Sequence, residues 1–389
     1  MIPLSIPNFE GNEQKYVNDA IRQGWVSTGG AYITQFEQAL SRFLHTESVA
    51  ACQSGTAALH LSLVEAGVKT GDVVLVPPLT FIAAVNPVRY QFATPVFIDC
   101  DDSFCMDPAK LDRFCKEECS FDGEILTYKN QTVKAIVVVH VFGNMADMEA
   151  IMVTAAKYHL KVVEDATEAL GTYYIEGRFA GKYAGTIGDY GAYSFNGNKI
   201  ITTGGGGAVT AKDQKTVDHL RFLSTQAKTD PHFYIHDEVG YNYRMTNLQA
   251  ALGVAQMEEL PEFILRKQRN YKLYRQAFEG FEFGKLMTFR KDTCCNQWFY
   301  SLEINRDRVN ASMHEIITAL QEKGIETRAI WGLINEQKPY RKETTYQLVK
   351  APYYAERILN LPCSTQITEE EIDYTAEETK KLLRTLANG

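Results

Sequence analysis

The sequence predicts an α/β protein in which helices flank a mostly parallel central sheet, followed by a smaller α+β domain. Short and almost wholly apolar runs, typical of strands buried on both faces, alternate with helical patterns over the first two-thirds of the chain. From about residue 255 the pattern changes to charged helix mixed with single strand candidates. With 389 residues, of which 45% are hydrophobic, the chain is long enough for both parts. We therefore expect a large domain at residues 1–255 and a small domain at residues 256–389.

The predicted elements of the large domain alternate as a parallel sheet with crossover helices requires. The strand candidates are DVVLVPP at 72–78, TPVFIDC at 94–100, AIVVVHVF at 135–142 and KVVED at 161–165. The helix candidates are SGTAALHLSLVEAGV at 54–68 and MADMEAIMVTAAKYHL at 145–160. In the C-terminal part, a charged helix at 259–280, which also suits a connector between domains, precedes the strand candidates QWFYSLEI at 297–304 and GIETRAI at 324–330.

Composition argues against several classes of function. A formal net charge of −8 gives no general attraction to nucleic acid or to an anionic membrane. The longest apolar runs are far shorter than the roughly 20 residues of a membrane span, and the N-terminus lacks the basic start of a signal peptide. The eight cysteines and eight histidines lack zinc-ligand spacing. We therefore expect a cytoplasmic protein with free thiols, without a metal site and without a nucleic-acid or membrane partner.

The stretch SFNGNKIITTGGGGAV at 194–209 holds a lone lysine, Lys199, followed by four consecutive glycines. A P-loop has glycines before its lysine and a hydroxyl residue directly after it, whereas here Ile200 follows and the glycines come later. The dinucleotide-binding fingerprint is also unsatisfied, because its glycine spacing and its ribose-binding acid are both missing. A covalent role for Lys199 is the remaining explanation, with the glycines as a tight turn beside the site. The sequence alone offers no reason for four of them.

Two other segments carry polar groups where ligands bind in α/β folds. Asp165 ends the apolar run KVVED and so lies at the carboxyl edge of the predicted sheet. Gly55 and Thr56 open the predicted helix at 54–68, where free N–H groups and the helix dipole attract a phosphate. Taken alone, each has an ordinary explanation, since Asp165 suits a helix cap or turn and the SGT segment suits an N-cap.

Lys199, Asp165 and the Gly55-Thr56 pair together supply what pyridoxal 5′-phosphate requires. This cofactor needs a lysine that forms a Schiff base with its aldehyde, a carboxylate that keeps its pyridine nitrogen protonated, and an anion site for its phosphate. A solvated lysine with a pKa of about 10.4 is mostly protonated at neutral pH and is a poor nucleophile. Burial or nearby positive charge would lower that pKa. We therefore predict pyridoxal 5′-phosphate as the cofactor.

Five ordered segments resemble the signature blocks of the nucleotide-sugar aminotransferases of the DegT/StrS family. They are FEQALSRFLHTESVAACQSGTAALHLSL, PPLTFIAAVNPV, VVEDATEALGTYY, GDYGAYSFNGNKIITTGGGGAV and VGYNYRMTNLQAALGVAQME, and the match runs from about residue 3 to the C-terminus. The resemblance implies a fold-type I pyridoxal-phosphate aminotransferase that works as a homodimer with shared active sites. NGN before Lys199, the glycines after it and LSTQAK at 223–228 resemble the enzymes that aminate UDP-4-keto-6-deoxy-GlcNAc in bacillosamine and legionaminic acid synthesis.

The resemblance implies a role for each matching residue, and it marks Lys199 and Asp165 as catalytic. Lys199 would form the Schiff base and, once released, would move a proton between cofactor and substrate as acid and base. Asp165 would pair with the pyridinium nitrogen. Phe81 in LTF would stack on the cofactor ring, although phenylalanines in such runs usually pack in the core.

The same resemblance assigns the cofactor phosphate to Gly55, Thr56 and Ser194. Asn242 in GYNYR would reach the phosphate of the neighbouring subunit's cofactor, so the active site would need the dimer. Glu168 stands where many family members have glutamine, near the 3-hydroxyl of the cofactor. Because a carboxylate would repel a phenolate there, we infer that either Glu168 or the cofactor oxygen carries a shared proton.

The substrate end of the site is marked by fewer residues. Ser27 and Thr28 in GWVSTGG correspond to a family loop that borders the sugar nucleotide, although the segment also suits a simple turn. Arg328 in GIETRAIW matches a residue that faces the active site, and its guanidinium suits a carboxylate or a diphosphate; an exposed salt bridge is the alternative. Asn335 in LINEQ stands where we expect histidine, and it would alter substrate preference if that position touches the substrate.

The predicted reaction moves the amino group of L-glutamate to C4 of a nucleotide-linked 4-keto-6-deoxy sugar, with ping-pong kinetics. UDP-4-keto-6-deoxy-GlcNAc is the first candidate acceptor, and the product would be a UDP-4-amino-4,6-dideoxy sugar for surface glycan or nonulosonic acid synthesis. Amination at C3 and a GDP- or dTDP-linked acceptor stay open. Lys199 argues against the family's dehydratases, which carry histidine in its place. A non-catalytic pyridoxal-phosphate-binding regulator is disfavoured because no DNA-binding domain is recognisable.

Overall fold

The computed structural model of the chain describes residues 1–230 and 232–387. Its helices are α1 Glu13–Arg22, α2 Ala31–Leu44, α3 Gly55–Glu65, α4 Asn86–Tyr90, α5 Pro108–Glu117, α6 Met148–Lys157, α7 Gln214–Ser224, α8 Asn247–Ala277, α9 Met313–Glu322, α10 Lys350–Ala355 and α11 Glu369–Ala387. Its strands are β1 Val49–Cys52, β2 Val73–Val76, β3 Thr94–Ile98, β4 Ser120–Phe121, β5 Leu126–Tyr128, β6 Gln131–Val139, β7 Lys161–Asp165, β8 Tyr173–Tyr174, β9 Tyr190–Ser194, β10 Gly207–Ala211, β11 Lys228–Asp230, β12 Ile235–His236, β13 Gly284–Leu286, β14 Thr293–Cys294, β15 Tyr300–Ile304, β16 Arg328–Ala329, β17 Thr345–Tyr346 and β18 Ile358–Leu361.

A ten-stranded sheet forms the centre of the fold, in the order β1-β10-β9-β7-β6-β2-β3-β17, with β5 and then β4 attached to β6. The strands from β9 to β17 in this order are parallel, and β10 is antiparallel to both of its neighbours. Every residue of β2 is buried, as in a sheet covered on both faces. The four strand candidates of the first part form β2, β3, β6 and β7, and the two helix candidates form α3 and α6. The predicted α/β class with a mostly parallel sheet is confirmed.

Three strands of this sheet bring their carboxyl ends to one edge. Because β1 and β9 are both antiparallel to β10, they run in the same direction, and β9 is parallel to β7. The register pairs Cys52 with Gly207, Gly207 with Ser194, and Asp165 with Ala192. The loops that follow β1, β7 and β9 therefore open beside one another, at the edge where open α/β sheets bind ligands.

The C-terminal part is built on a long helix and a second sheet. Helix α8 begins with a capping box formed by Thr246 and Gln249 and packs on α1, α2 and α11. Strands β13, β15, β18 and β16 form a four-stranded antiparallel sheet, which includes both strand candidates of this part. Helix α8 runs through residues 255 and 256, and β14 and β17 pair with β8 and β3 of the first part. The division of the chain into domains at 255/256 stays a prediction.

The structure also bears on membranes, metals and thiols. Across residues 1–230 and 232–387, no helix is both long enough and apolar enough to cross a bilayer. The same residues contain no group of three or more His, Cys, Asp or Glu side chains arranged to hold a metal ion. All eight cysteines are free, and six of them are buried, in agreement with the prediction of unpaired thiols.

Candidate active site

A cavity of about 310 Å³ opens at the edge of the sheet where β1, β7 and β9 end. Eight of the predicted site residues line it: Gly55, Thr56, Phe81, Asp165, Glu168, Ser194, Lys199 and Arg328. The other three do not, because Ser27, Thr28 and Asn242 are exposed elsewhere on the chain. The cavity is also lined by Trp298 and Trp331, which the sequence analysis did not single out. The eight predicted residues come from five distant segments of the chain, and their individual roles stay predictions.

Lys199 lies in the loop between β9 and β10, where its backbone N–H donates to Asn196 O at 3.0 Å and forms a turn. Its side chain is largely buried, and Nζ lies 3.8 Å from Glu168 Oε1 and 4.2 Å from the centre of the Trp298 ring. Burial lowers the pKa of Lys199, whereas the nearby charges of Glu168 and Asp165 oppose that shift. A lysine with a lowered pKa is uncharged in a larger fraction of molecules, as a nucleophile or a base requires.

The Glu168 carboxylate, 3.8 Å from the Lys199 amine, accepts one backbone hydrogen bond. Phe142 N–H donates to Glu168 Oε2 at 2.7 Å, from a residue with φ of 56°. Burial raises the pKa of Glu168 to about 7, although the Lys199 charge and the Phe142 N–H both act to lower it. Glu168 is therefore able to hold a proton at neutral pH, as the expectation of a shared proton requires.

Asp165 ends β7 and points its carboxylate into the cavity lining, where Oδ1 accepts from Thr167 N–H at 3.1 Å. Burial raises the pKa of Asp165, and the contacts with Thr167 and the charge of Lys199 partly offset that rise. No helix starts in the turns after Asp165, since the next helix of the described chain is α7 at Gln214. Asp165 thus caps no helix, but the turn alternative is correct, because Thr167 N–H closes a local turn on its Oδ1. The Asp165 carboxylate also lines the cavity.

Behind Asp165, His140 and Glu164 form a fully buried pair, with His140 Nε2 2.9 Å from Glu164 Oε2. His140 Nδ1 accepts from Ala146 N–H at 3.1 Å, so this nitrogen carries no proton and Nε2 is the donor to Glu164. Glu164 also accepts from the backbone N–H groups of Gly185, Ile187 and Gly188. Both carboxylate oxygens are thus satisfied by donors, which a buried charge requires. His140 N–H in turn donates to Asp165 O, so the pair supports the strand end that carries Asp165.

The start of α3, where the sequence predicts a phosphate site, lines one part of the cavity. Ser54 Oγ accepts from Ala57 N–H at 3.1 Å and caps the helix, so the ordinary N-cap explanation is correct for Ser54. A Cβ at Gly55 would lie 2.7 Å from Ser194 Cβ, too close for any side chain there unless the backbone moves, and 3.0 Å from Thr167 Cγ2. Only glycine therefore lets the first turn of α3 approach the end of β9, with Thr56 and Ser194 lining the space between.

The four glycines after Lys199 have separate structural reasons. Gly206 has φ of +96°, and its N–H donates to Gln53 O at 2.7 Å, which ties the loop to the segment before α3. Gly207 sits so close to that segment that an added Cβ would lie 2.5 Å from both C and O of Ser54. Gly204 also has a positive φ, whereas an added Cβ at Gly205 would meet only the end of the Gln249 side chain, at 3.3 Å. Three of the four positions therefore need glycine.

The segment of Asn296 and Trp298, from the C-terminal part, contributes to the cavity wall through Trp298. Asn296 is fully buried, and its Nδ2 donates to Glu168 O at 2.9 Å and to Leu170 O at 3.0 Å. Its Oδ1 accepts from Trp298 N–H at 3.1 Å. Asn296 thus joins the Glu168 segment to Trp298. Sequence reasoning missed both residues because their contacts join segments far apart in the chain, and neither belongs to a recognisable motif.

The remaining predicted residues differ in how they meet the cavity. Phe81 is 56% exposed and lines the cavity, so it does not pack in the core. Arg328 lines the cavity and also forms an exposed ion pair with Glu326 Oε1 at 3.7 Å, so the salt bridge that the sequence allowed as the alternative is present. Asn335 does not line the cavity, and its buried Oδ1 has no hydrogen-bond partner among the described residues.

The residues at the sheet edge fit pyridoxal 5′-phosphate. Lys199 supplies an amine with a lowered pKa, Asp165 supplies a buried carboxylate, and the first turn of α3, which lines the cavity beside Ser194, suits a phosphate. One cavity thus offers an amine for the cofactor's aldehyde, a carboxylate for its ring nitrogen and an anion site for its phosphate.

Comparison with known proteins gives concordant matches over nearly the whole chain. The profile of the DegT/DnrJ/EryC1/StrS aminotransferase family matches residues 7–380. A GDP-perosamine synthase of Caulobacter vibrioides is 35% identical over 376 residues, which cover 96% of this chain and 95% of that protein. The GDP-perosamine synthase of Escherichia coli O157:H7 is 35% identical over 380 residues, 97% of each protein. Among solved structures, Spr1654 from Streptococcus pneumoniae in its PLP form has a TM-score of 0.88 at 25% identity and 99% coverage of both chains.

Proposed function

The chain belongs to the DegT/DnrJ/EryC1/StrS aminotransferase family of pyridoxal-phosphate enzymes, and we propose that it transfers the amino group of L-glutamate to C4 of a nucleotide-linked 4-keto-6-deoxy sugar. The observation that carries this proposal is the Lys199 amine, largely buried and 3.8 Å from Glu168 in a cavity that also contains Asp165. The products would be 2-oxoglutarate and a nucleotide-linked 4-amino-4,6-dideoxy sugar.

In the proposed reaction, residues of the chain bind the cofactor and transfer protons. Pyridoxal phosphate, when bound, supplies an aldehyde for the amino group and a ring that accepts electrons from the reacting carbon. Free Lys199 takes the α-proton of glutamate with its uncharged Nζ, and its charged form returns a proton at C4 of the sugar. The Asp165 carboxylate keeps a proton on the ring nitrogen. The N–H groups at Gly55 and Thr56 and the Ser194 hydroxyl hold the phosphate.

The proposed position of amination is C4. The two relatives above are named GDP-perosamine synthases, and perosamine is a 4-amino-4,6-dideoxy sugar, which favours C4 over C3. For the nucleotide we propose UDP-4-keto-6-deoxy-GlcNAc, on the motifs around Lys199 and at residues 223–228. The GDP-linked 4-keto-6-deoxy sugar is the second candidate, and its support is the 35% identity to the two GDP-perosamine synthases.

We further propose that a homodimer completes the site, and that the protein acts in the cytoplasm, where nucleotide sugars are made. Asn242 is exposed, which leaves it available to the cofactor phosphate of a second subunit. Ser27 and Thr28 are exposed in the loop between α1 and α2, where they are available to a sugar nucleotide. Arg328 offers its guanidinium at the cavity to the diphosphate of that substrate.

A panel of substrates tests the proposal. The purified protein, loaded with pyridoxal phosphate, is mixed with L-glutamate and with UDP-, GDP- and dTDP-linked 3-keto and 4-keto-6-deoxy sugars, and products are identified by mass spectrometry and NMR. We expect the UDP-linked 4-keto sugar to gain nitrogen at C4. Amination of the GDP-linked sugar alone would establish the second candidate, and amination of 3-keto sugars alone would overturn C4. Lys199→Ala serves as the control, because its cofactor absorbance should not respond to glutamate.

A further inference from the structure

Trp298 makes an unusual set of contacts with Lys199. The Lys199 Nζ lies over the Trp298 ring, 4.2 Å from its centre. The Phe299 ring stacks on Trp298 with 4.0 Å between ring centres and an angle of 16° between planes. Two groups at these distances cannot share one face, so Phe299 backs one face of the indole and the amine occupies the other. The indole is buried and lines the active-site cavity through the face turned to Lys199.

The indole also holds the main chain of the Lys199 loop. Trp298 Nε1–H donates to Asn198 O at 2.9 Å, and this carbonyl belongs to the peptide bond that joins Asn198 to Lys199. One side chain therefore contacts Lys199 at both ends, at the peptide group before its Cα and at Nζ. A lysine side chain has several rotatable bonds, and fixing both ends removes much of that freedom.

Trp298 is itself fixed by buried polar groups. Asn296 Oδ1 accepts from Trp298 N–H, and Lys267 Nζ, from α8, donates to Trp298 O at 2.7 Å. Lys267 is buried and also donates to Cys363 O, so its ammonium is held by main-chain carbonyls. Trp298 is thus held by the Lys199 loop through Asn198, by α8 through Lys267 and by its own neighbours Asn296 and Phe299, so its ring is a fixed surface for the amine.

We propose that Trp298 is a positioning residue for Lys199, with an indole face that holds the amine and an N–H that fixes its loop whenever Lys199 is not covalently bound. The inference rests on the proposed role of Lys199 in transamination. A ring face attracts an ammonium through its quadrupole but accepts no proton from it. Trp298 therefore steadies the charged lysine without a hydrogen bond that would have to break before Nζ returns to the reacting carbon.

Several charged groups near Lys199 also affect its titration, and a test must separate their effect from that of the Trp298 ring. Glu168 and Asp165 face the amine from the segment at the end of β7, and both favour its charged form. Arg328 lines the same cavity, and Lys267 lies behind Trp298. None of these groups is altered by substitution of Trp298. If the titration of Lys199 changes in a Trp298 variant, the change is therefore due to the loss of the indole ring.

The test measures how readily Lys199 reacts with acetic anhydride as a function of pH, by mass spectrometry of the peptide that contains it. The full chain is labelled with pyridoxal phosphate bound and again after hydroxylamine and dialysis have removed it. Trp298→Leu removes the ring face and the N–H, whereas Trp298→Phe keeps a ring that can stack on Phe299. Trp331→Phe is the matched control, because Trp331 lines the same cavity but packs its ring on Phe142, whereas the amine lies over Trp298.

In the cofactor-free chain, we expect the labelling midpoint of Lys199 to fall by about one pH unit in Trp298→Leu, because the charged form loses its cation–π contact. Well below the midpoint, the labelling rate should rise about tenfold, with Trp298→Phe in between and Trp331→Phe unchanged. An unchanged or higher midpoint in both Trp298 variants would overturn the inference. Should Trp298→Leu fail to fold, Trp298→Phe alone decides in the same way.

The two labelling conditions separate this inference from the proposed function. If pyridoxal phosphate does not protect Lys199 of the wild-type chain from labelling, the proposed covalent role fails. The comparison of labelling midpoints in the cofactor-free chain does not depend on that result, so the contact between Trp298 and the amine is judged on its own.

Discussion

Lys199 Nζ and Glu168 Oε1 lie 3.8 Å apart, in a setting that leaves little water around either group. Burial lowers the pKa of Lys199 and raises that of Glu168 to about 7, so the two values approach each other. The charge of each partner favours the ionised form of the other and so opposes the effect of burial, which couples their titrations.

Glu168→Gln should separate these two titrations. The amide oxygen can still accept from Phe142 N–H, so we expect pyridoxal phosphate to bind. Because glutamine takes up no proton in this range, the pH midpoint of the cofactor absorbance should shift. The measurement is a spectrophotometric titration of wild type and variant. Identical titrations would show that Glu168 does not interact with the absorbing group.

The same substitution should change how stability depends on pH. The pKa of Glu168 is raised from 4.5 to about 7 in the folded chain, so the folded state binds this proton more tightly than the unfolded state. Its contribution is fully present below pH 4.5 and is lost as pH rises through about 7. The free energy of unfolding of Glu168→Gln, measured relative to wild type, should therefore be more favourable at pH 8 than at pH 5 by on the order of 2 kcal/mol. Denaturant unfolding of the cofactor-free chain measures this; an equal difference at both pH values would contradict it.

Asp165→Asn should retain the fold and lose the chemistry. Asparagine Oδ1 can still accept from Thr167 N–H, so we expect the melting temperature of the cofactor-free chain to change little. Without the carboxylate, nothing at this position keeps the ring nitrogen protonated, and the rate of the half-reaction with glutamate should fall by at least about a hundredfold. Single-turnover absorbance measurements test this. A variant that keeps the wild-type rate would remove Asp165 from the proposed role.

Gly207→Ala and Gly205→Ala form a matched pair within the glycine run. A Cβ at Gly207 would lie 2.5 Å from the Ser54 backbone, and the segment before α3 would have to move, at a cost of about 1–3 kcal/mol. At Gly205 the nearest atom is the end of the Gln249 side chain, at 3.3 Å, which can turn away. Chemical denaturation should therefore show a clear loss of stability for Gly207→Ala and less than about 0.5 kcal/mol for Gly205→Ala. Equal losses would mean that the run tolerates or rejects alanine uniformly.

Glu164→Gln should be far more destabilising than the same change at Glu168. Both oxygens of Glu164 accept from donors, and a glutamine must turn its NH₂ group toward one pair of them. The glutamine NH₂ would then face buried N–H groups that have lost their acceptor. This should lower the free energy of unfolding by about 3 kcal/mol. Glu168 accepts from one backbone N–H and serves as the control at the same pH. Comparable losses at the two positions would contradict this view of the Glu164 pair.

The parts of the fold that were predicted from sequence depend on local patterns. Strands β2, β6 and β7 are runs of apolar residues because both faces of the sheet bury them. Lys199, Asp165 and Gly55 could be singled out because each stands at the end of an element or beside a turn, a position that neighbouring residues reveal. Local order in the chain thus identified both the sheet and the residues at its edge.

The rest depends on contacts between distant segments. Trp298 and Asn296 belong to no motif, and their place at the cavity follows from the packing of the C-terminal part behind Lys199. The separate reasons for the glycines also appear only when Gly207 meets Ser54. Ser27, Thr28 and Asn242 lie outside the cavity of a single chain, and their roles stay predictions.

The order in which the cavity walls occur along the chain has a consequence for synthesis. Lys199 and Asp165 emerge from the ribosome long before Trp298, Arg328 and Trp331, which supply the remaining wall. Strand β17, later still, completes the central sheet beside β3. A growing polypeptide therefore carries a reactive lysine without its full enclosure for much of translation. We therefore expect pyridoxal phosphate to bind stably only after most of the chain has emerged from the ribosome, too late to guide the early steps of folding.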